Sequence, residues 1–153
     1  MVYDMEALML KTSNKFLTVL LCIILTLWQL PQVILGFIML LVFRNKTTYT
    51  NPYNHITVWN INCYHAFGNA CFSTGPFIIT CNDKVSDEIL KHESGHSQQS
   101  IYLGPLYHIV VSIPSICLFW YKKLKNKNKE WYYSHYPEGW ANRLGGVNVE
   151  DHK

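Results

Sequence analysis

The amino-acid sequence predicts an α+β fold with apolar helical segments inserted in a lipid bilayer. Residues 16–43 form a long apolar run without a formal charge. Charged residues make up only 15% of the chain, whereas about a quarter is usual for a soluble domain. Residues 44–83 are instead rich in Asn, Thr, Tyr and Gly, which indicates strands and turns. The 153 residues suffice for one domain, which we take as 1–153.

The first apolar segment, residues 16–43, is too long for one straight crossing of a membrane. As a single helix it would measure roughly 42 Å, against about 30 Å for the hydrocarbon core of a bilayer. Pro31 also disfavours helical geometry at the residue before it. The segment therefore predicts either a hairpin of two short helices that turns near Pro31 or one tilted, kinked span.

Residues 44–83 predict a small antiparallel sheet of two or three strands, because β-prone stretches alternate there with turn signals. A strand at the edge of this sheet can pair with an extended peptide substrate, and a purely structural strand is the alternative. The candidate residues for substrate pairing directly precede the next predicted helix: Phe77, Ile78, Ile79 and Thr80.

That helix is predicted over residues 84–103. Asn82 or Asp83 can cap its start, and Gly104 followed by a proline ends it. The helix carries the sequence HESGH, which places two histidines four residues apart around a glutamate. Its position makes this motif the strongest functional signal in the chain.

His92 and His96 fall on one face of the predicted helix, with Cβ atoms about 6 Å apart, so two imidazoles can bind one cation. Glu93 flanks them and can take a proton from a water molecule that zinc activates. HExxH thus encodes two ligands and a general base; the alternative is that both histidines are ordinary polar residues of a surface helix. Gly95 leaves room for another backbone, and PEGWANRLGG supplies Glu138 as a third ligand.

The remaining segments set the predicted topology. Residues 106–120 form a second apolar stretch of roughly 22 Å, which is short for a bilayer, and Pro114 is expected to break it. The lysine-rich stretch 122–129 is typical of a cytoplasmic, lipid-facing loop. Residues 131–146 then predict the helix of the third ligand, with Pro137 in its first turn.

The motifs resemble those of membrane zinc metallopeptidases of the gluzincin group, such as CAAX prenyl proteases and heat-shock membrane proteases. HESGH matches their HExGH form, and EGWAN, residues 138–142, is similar to their downstream E-x-x-A-D. The resemblance implies a minimal zincin-like core: the HExxH helix, the small sheet and a C-terminal helix that bears the glutamate. It also implies one Zn²⁺ per chain, bound by His92, His96 and Glu138, with Glu93 as the base.

Asn142 stands where the family pattern has an aspartate that supports a ligand histidine. Its amide oxygen can accept the same imidazole N–H, although it brings no negative charge. The histidine it supports should therefore be less basic than in the family.

Other polar residues near the motifs allow two interpretations. His135 is a candidate for stabilising an oxyanion, and a surface histidine is the alternative. Tyr133 and Tyr136 share that ambiguity and are also typical of a membrane interface. Gln98 and Gln99 are expected on the outer surface of the motif helix.

One ion shared by the motif helix and Glu138 requires the segments before and after residues 106–120 to lie on one side of the membrane. A re-entrant insertion of 106–120 satisfies that requirement. Basic residues flank segment 16–43 at both ends, and the positive-inside rule then places both ends in the cytoplasm. We therefore expect an integral protein of the inner, cytoplasmic membrane whose site faces the cytoplasm.

The predicted function is a zinc-dependent metallopeptidase that hydrolyses a peptide or membrane-protein substrate at the bilayer surface. Two alternatives are a non-catalytic membrane protein with a structural zinc site and a membrane scaffold without metal. The expected partners are the substrate and the lipid bilayer. A nucleic-acid partner is not expected, because the net charge of +3 is small and scattered.

Overall fold

The computed structural model of the chain describes residues 15–43, 49–50, 59–62, 71–80 and 85–147. These residues form helices and a small sheet, which is the predicted α+β class. The elements, in chain order, are α1 (Lys15–Trp28), α2 (Leu30–Phe43), β1 (Tyr49–Thr50), β2 (Trp59–Asn62), β3 (Cys71–Thr74), β4 (Phe77–Thr80), α3 (Asp87–Leu103), α4 (Ile113–Leu124), α5 (Lys129–Ser134) and α6 (Glu138–Gly145). A 3₁₀ turn (Gly104–Leu106) and a π-helical turn (His108–Ser112) connect α3 to α4.

The first apolar segment is divided into α1 and α2, which are bent by 92° relative to each other. The break lies at Gln29, and Pro31 is the second residue of α2, where a helix does not need the missing N–H. A bend of this size lies between the two predicted forms, since it is sharper than a kinked span and more open than a hairpin.

Across the described ranges, no single helix is both long and apolar enough to cross a membrane. Two bent pairs meet the requirements of length and composition together. One is α1 with α2, and the other is Asp87–Leu106 with His108–Leu124, bent by 120°.

The bend between α1 and α2 is docked on the C-terminal end of α3 by polar contacts. The indole nitrogen of Trp28 donates to the carbonyl of Ile101 at 2.8 Å, and the buried amide of Gln32 donates to the carbonyl of Gly104. These bonds fix the apolar helices against the element that carries HESGH.

The four strands form one sheet in the order β1–β2–β4–β3. β1 with β2 and β3 with β4 are antiparallel, whereas β2 and β4 run parallel. The prediction of a purely antiparallel sheet of two or three strands is therefore wrong for the β2–β4 pair. These two strands are not consecutive in sequence, so no local turn signal marks their pairing.

β4 is an interior strand, paired with β2 on one side and with β3 on the other. All four of its residues are buried. An interior strand has no unpaired edge to which a peptide can add, so the predicted substrate strand is wrong. Its residues are structural instead: Phe77, Ile78, Ile79 and Thr80.

The hydrophobic core lies between the sheet and α2. Phe77 and Ile79 form its buried centre, and partly buried side chains that include Val33 and Leu40 pack against them. A Cβ at Gly36 would overlap the ring of Phe77, so the ring rests directly on the α2 backbone. This small core fixes the sheet beneath α2.

α3 begins at Asp87, with Ser86 as its N-cap. The predicted caps, Asn82 and Asp83, lie outside the described residues, and the helix starts too far along the chain for either to cap it. Gly104 ends α3 as predicted, with a φ of 51° that favours glycine. The HESGH motif lies near the middle of this helix.

Pro114 does not break the second apolar segment, contrary to the prediction. The π-helical turn leads directly into α4, with Pro114 in its first turn. A proline has no N–H to offer the carbonyl four residues earlier, which is that of Val110. The hydroxyl of Tyr136 donates to this carbonyl at 2.7 Å and replaces the missing bond.

The predicted helix over residues 131–146 is in fact two helices, α5 and α6, with residues 135–137 between them. Pro137 directly precedes α6, and Gly146 follows it with a φ of 68°. Pro137 therefore lies just before α6 and not in the first turn of a helix as predicted, and Gly146 ends α6 with a left-handed residue. The glutamate of EGWAN is thus the first residue of its helix.

Candidate metal centre

α3 and α6 approach so closely that each needs a glycine at the contact. A Cβ at Gly95 would overlap the backbone carbonyl of Ala141, and a Cβ at Gly145 would overlap the carbonyl of Lys91. The close approach predicted from Gly95 is confirmed, and Gly145 is its counterpart on α6. The near contact of the two backbones brings side chains of both helices together.

His92 and His96 of α3 meet Glu138 at the start of α6. The Nε2 atoms of His92 and His96 lie 3.0 Å and 3.4 Å from one atom, Oε2 of Glu138. All three side chains are buried. Their three ligand atoms lie within 4.8 Å of one another, so the group can hold a metal ion.

Amide side chains hold the Nδ1 atoms of both histidines. Nδ1 of His92 lies 2.6 Å from Oδ1 of Asn142, the support expected at that position. Nδ1 of His96 lies 2.7 Å from Oε1 of Gln99, whose amide nitrogen donates to the carbonyl of Pro137. Because that bond turns the Gln99 oxygen toward the ring, His96 must donate from Nδ1.

Two imidazoles that donate from Nδ1 present lone pairs at Nε2 when they are neutral. Both lone pairs then face the carboxylate oxygen of Glu138, another acceptor. Three acceptors so close and so well buried repel one another unless a proton or a metal cation lies between them. The donor set therefore fits a metal ion. The hydrogen bonds at Nδ1 of both histidines match the way proteins orient histidine ligands.

The distances also suit a small tetrahedral ion. Ligand atoms about 2.0–2.2 Å from such an ion lie about 3.3–3.5 Å from each other. The separations of 3.0 Å and 3.4 Å between each Nε2 and Oε2 of Glu138 are close to that range. The three ligand atoms together span up to 4.8 Å, so the two imidazoles would have to draw closer to each other around such an ion.

Glu138 is ionised in this setting. Burial alone would raise the pKa of its carboxyl group, but the N–H groups and positive charge that His92 and His96 supply when protonated outweigh burial and hold the pKa well below its usual range. Its other oxygen, Oε1, accepts a hydrogen bond from the hydroxyl of Ser115. Ser115 lies in α4, so the apolar helix touches the metal group directly.

Glu93 lies next to the group but is not part of it. The hydroxyl of Ser73 in β3 is 2.7 Å from Oε2 of Glu93 and equally close to its backbone carbonyl. The carboxylate is buried and is fixed to the sheet by this contact. A carboxylate anchored beside three ligands has the placement of a general base.

A cavity of about 870 Å³ opens onto these residues. Its wall includes Glu93 and the three ligand residues, and it continues along one side of α4. Most of that side is apolar or aromatic, with Ile113, Ile116 and Phe119 among the lining residues. The size is that of a typical small-molecule or peptide pocket.

Tyr133 and His135, both candidates for stabilising an oxyanion, occupy different positions. Tyr133 lines the cavity, and its ring meets that of His92 edge-to-face at 5.0 Å. His135 is exposed, stacks on Trp131 and is not one of the described residues that line the cavity. Tyr133, not His135, is therefore the residue placed to act on a ligand in the cavity.

Gln99 is not on the outer surface as predicted, since it is fully buried against His96. Gln98 is also turned inward and donates to the carbonyl of Leu144 in α6. The spacing of three residues between His96 and Gln99 is a local signal that could have identified this contact. Ser73 and Ser115 reach the site from distant parts of the chain, and no signal in the sequence marks them.

Comparison with protein family models, curated proteins and solved structures finds no match to this chain.

Proposed function

We propose that this chain is an integral-membrane zinc metallopeptidase of minimal size, which hydrolyses peptide bonds at or near the bilayer surface. The observation that supports it most is the position of Glu93. Its carboxylate shares a cavity with His92, His96 and Glu138, yet it is not one of the ligands. A site that only stored or anchored a metal has no use for such a group.

Two imidazoles and a carboxylate are a ligand set that suits Zn²⁺. When bound, Zn²⁺ would polarise the scissile carbonyl and lower the pKa of water. Ser73 holds Oε2 of Glu93, which leaves Oε1 to take a proton from the attacking water. The same carboxyl group then gives that proton to the leaving amine.

Tyr133 is the candidate to stabilise negative charge on the substrate oxygen. Burial and the nearby carboxylates of Glu93 and Glu138 raise the pKa of Tyr133 to about 12. The phenol is therefore protonated at neutral pH and can donate a hydrogen bond. Its ring contact with His92 places it at the wall of the metal group.

A catalytic role is favoured over a structural zinc site. Structural zinc is usually closed by four protein ligands, whereas catalytic zinc keeps one position open. Within the described part of the chain the group has three ligands, and these face a cavity of about 870 Å³. A scaffold without metal would have to bury a protonated histidine beside the Glu138 carboxylate, and burying charges in this way costs stability.

Membrane insertion is supported by the apolar surface of α1, α2 and α4. Many of their large apolar side chains are exposed, and six examples are more than half exposed: Phe16, Val19, Leu27, Phe37, Leu41 and Leu124. A surface of this extent is costly in water and is expected to face lipid. The lysines that follow α4 support a cytoplasmic orientation.

The activity is tested with detergent-purified protein and a mixed peptide library read by mass spectrometry. We expect cleavage that stops when a chelator removes zinc and returns when zinc is added back. Cleavage that persists at full rate after zinc removal would contradict the proposal.

The topology is tested with single cysteines at Thr47 and Asn128 in a background without the native cysteines. Thr47 lies outside the described residues, and Asn128 caps α5. Both should be labelled from the same face of sealed vesicles, because one centre joins α3 and α6. Labelling from opposite faces would mean that the segment containing α4 crosses the bilayer fully.

A further inference from the structure

Lys122 differs from the other lysines of the basic stretch 122–129. Its side chain is half-buried and lines the cavity of the metal group, whereas its neighbours are exposed. Its ammonium lies 5.0 Å from the centre of the Tyr132 ring, a cation–π contact. Among the described residues, no carboxylate forms an ion pair with Lys122.

Lys122 lies on the same face of α4 as Ser115, whose hydroxyl contacts Glu138. The two residues are seven apart, which is two helical turns or about 10 Å along the axis. Tyr132 lies between them, since its hydroxyl forms hydrogen bonds with Ser115 and Glu138 while its ring contacts the Lys122 ammonium. A continuous wall thus runs from the metal group to this cation.

Among the described residues of the cavity wall, no carboxylate is left to neutralise the Lys122 ammonium once a metal ion is bound. Within the part of the chain that the structure describes, the carboxylates that line the cavity are those of Glu138, a member of the metal group, and Glu93, which lies beside the group. A divalent ion held there would offset these two negative charges. The Lys122 ammonium then remains as a positive charge on a largely apolar wall, where it acts strongly on an incoming anion.

We propose that Lys122 binds a carboxylate of the substrate, so that the site selects peptides with an acidic side chain near the cleaved bond. An extended peptide advances about 3.3 Å per residue, which puts the acidic residue about three positions from that bond. The assignment rests on the peptidase function proposed above and names its substrate class. Specificity comes from a single charge pair formed in the cavity.

The test uses a peptide library with randomised positions and four proteins: wild type, Lys122→Gln, Lys122→Glu and Lys123→Gln. Lys123 is the matched control, because it is exposed and its ammonium lies over a different ring, that of Trp120. Wild type and Lys123→Gln should favour Asp or Glu over Asn or Gln at one position by about tenfold, the value of one charged hydrogen bond. Lys122→Gln should lose this preference, and Lys122→Glu should favour Lys or Arg there.

A binding measurement separates this inference from the function on which it rests. The same library is captured on zinc-loaded Glu93→Gln protein, with and without the Lys122→Gln change. Capture of acidic peptides that depends on Lys122 supports the assignment of Lys122, even if none of the proteins cleaves the library. Absence of cleavage would refute only the proposal that the protein is a peptidase. A preference for acidic peptides that persists in the Lys122→Gln protein overturns the assignment of Lys122.

The remaining explanation is that Lys122 serves the membrane surface. Binding to vesicles of phosphatidylcholine, with and without phosphatidylglycerol, is compared for Lys122→Gln and Lys123→Gln. Equal losses in the two variants are expected if Lys122 has no special role at the bilayer. A loss confined to Lys122→Gln, with peptide preference unchanged, would assign this lysine to anionic lipid and overturn the proposal.

Discussion

The α3–α6 pair and the apolar helices α1, α2 and α4 are built in opposite ways. Where α3 meets α6, most of the buried side chains are polar, and they include His92, Glu138 and Asn142. On α1, α2 and α4, large apolar side chains face outward. The hydrophobic effect of water therefore does little to hold the helix pair that carries the site.

The α3–α6 pair depends instead on close backbone packing and on polar bonds. Gly95 and Gly145 let the helices touch, and Gln99 and Asn142 hold the two histidines. A metal ion at the centre adds its binding free energy to folding. The apolar helices, by contrast, expose their side chains, and the proposed membrane insertion would stabilise them through contact with lipid.

The largest effect is expected for Glu93→Gln. The amide cannot take a proton, so the peptidase rate should fall by about 10²–10⁴-fold. Zinc content should stay unchanged, because Glu93 is not one of the three ligands. Glu88→Gln, on the same helix but away from the cavity lining, serves as the control and should keep its activity. Loss of zinc along with activity would show that Glu93 is a ligand.

Gly95→Ala tests the close packing of the helix pair. The added methyl group would overlap the carbonyl of Ala141, and overpacking of this kind costs about 1–3 kcal/mol. The thermal midpoint and the zinc affinity should both fall, since the ligands come from the two helices that are pushed apart. Ser94→Ala, a neighbouring change without such an overlap, should lower neither by a comparable amount. Full zinc affinity in Gly95→Ala would mean that the helices can separate without loss of the centre.

Substitutions of Asn142 test the hydrogen bond that holds the ligand His92. Asn142→Ala removes the acceptor for His92 Nδ1 and should weaken zinc binding by about tenfold. Asn142→Asp should instead strengthen it, because the buried Nδ2 of Asn142 has no partner among the described residues and a carboxylate makes the imidazole more basic. Competition with a zinc indicator measures both affinities. Equal affinity in all three proteins would show that this contact does not support the metal.

The smallest effect is expected on the outer face of α2. Phe37 is 57% exposed, so Phe37→Ala should change the free energy of unfolding in detergent by about 0.5 kcal/mol or less. Ile79→Ala, in the core beneath α2, should cost about 2–5 kcal/mol. If Phe37→Ala costs as much as Ile79→Ala, the outer face of α2 is packed against protein rather than lipid.

The sequence reveals the centre of the site better than its surroundings. HESGH marks the two histidines and Glu93 because the requirement for helical spacing is local, and EGWAN adds Glu138 through a resemblance. Ser73 and Ser115 are common residue types that only the tertiary fold brings to the site. Their roles could not be predicted, since each depends on the packing of elements far apart in the chain.

The fold shows the same division between local and distant effects. Gly104 ends α3 as predicted, because a residue with positive φ at the end of a helix is a local requirement that glycine meets. The interior place of β4 comes from its parallel pairing with β2, which no adjacent turn specifies. Pro114 misled the prediction because its missing bond is replaced by Tyr136, a residue of another segment.

The central claim is that α3 and α6 share one metal ion, and the zinc content of the detergent-purified protein tests it most directly. Elemental analysis should find about one zinc per chain in the wild type and in Glu130→Ala, an exposed acid of α5. His92→Ala, His96→Ala and Glu138→Ala should each lose the metal. Full zinc occupancy in Glu138→Ala would contradict the claim, because α6 would then supply no ligand.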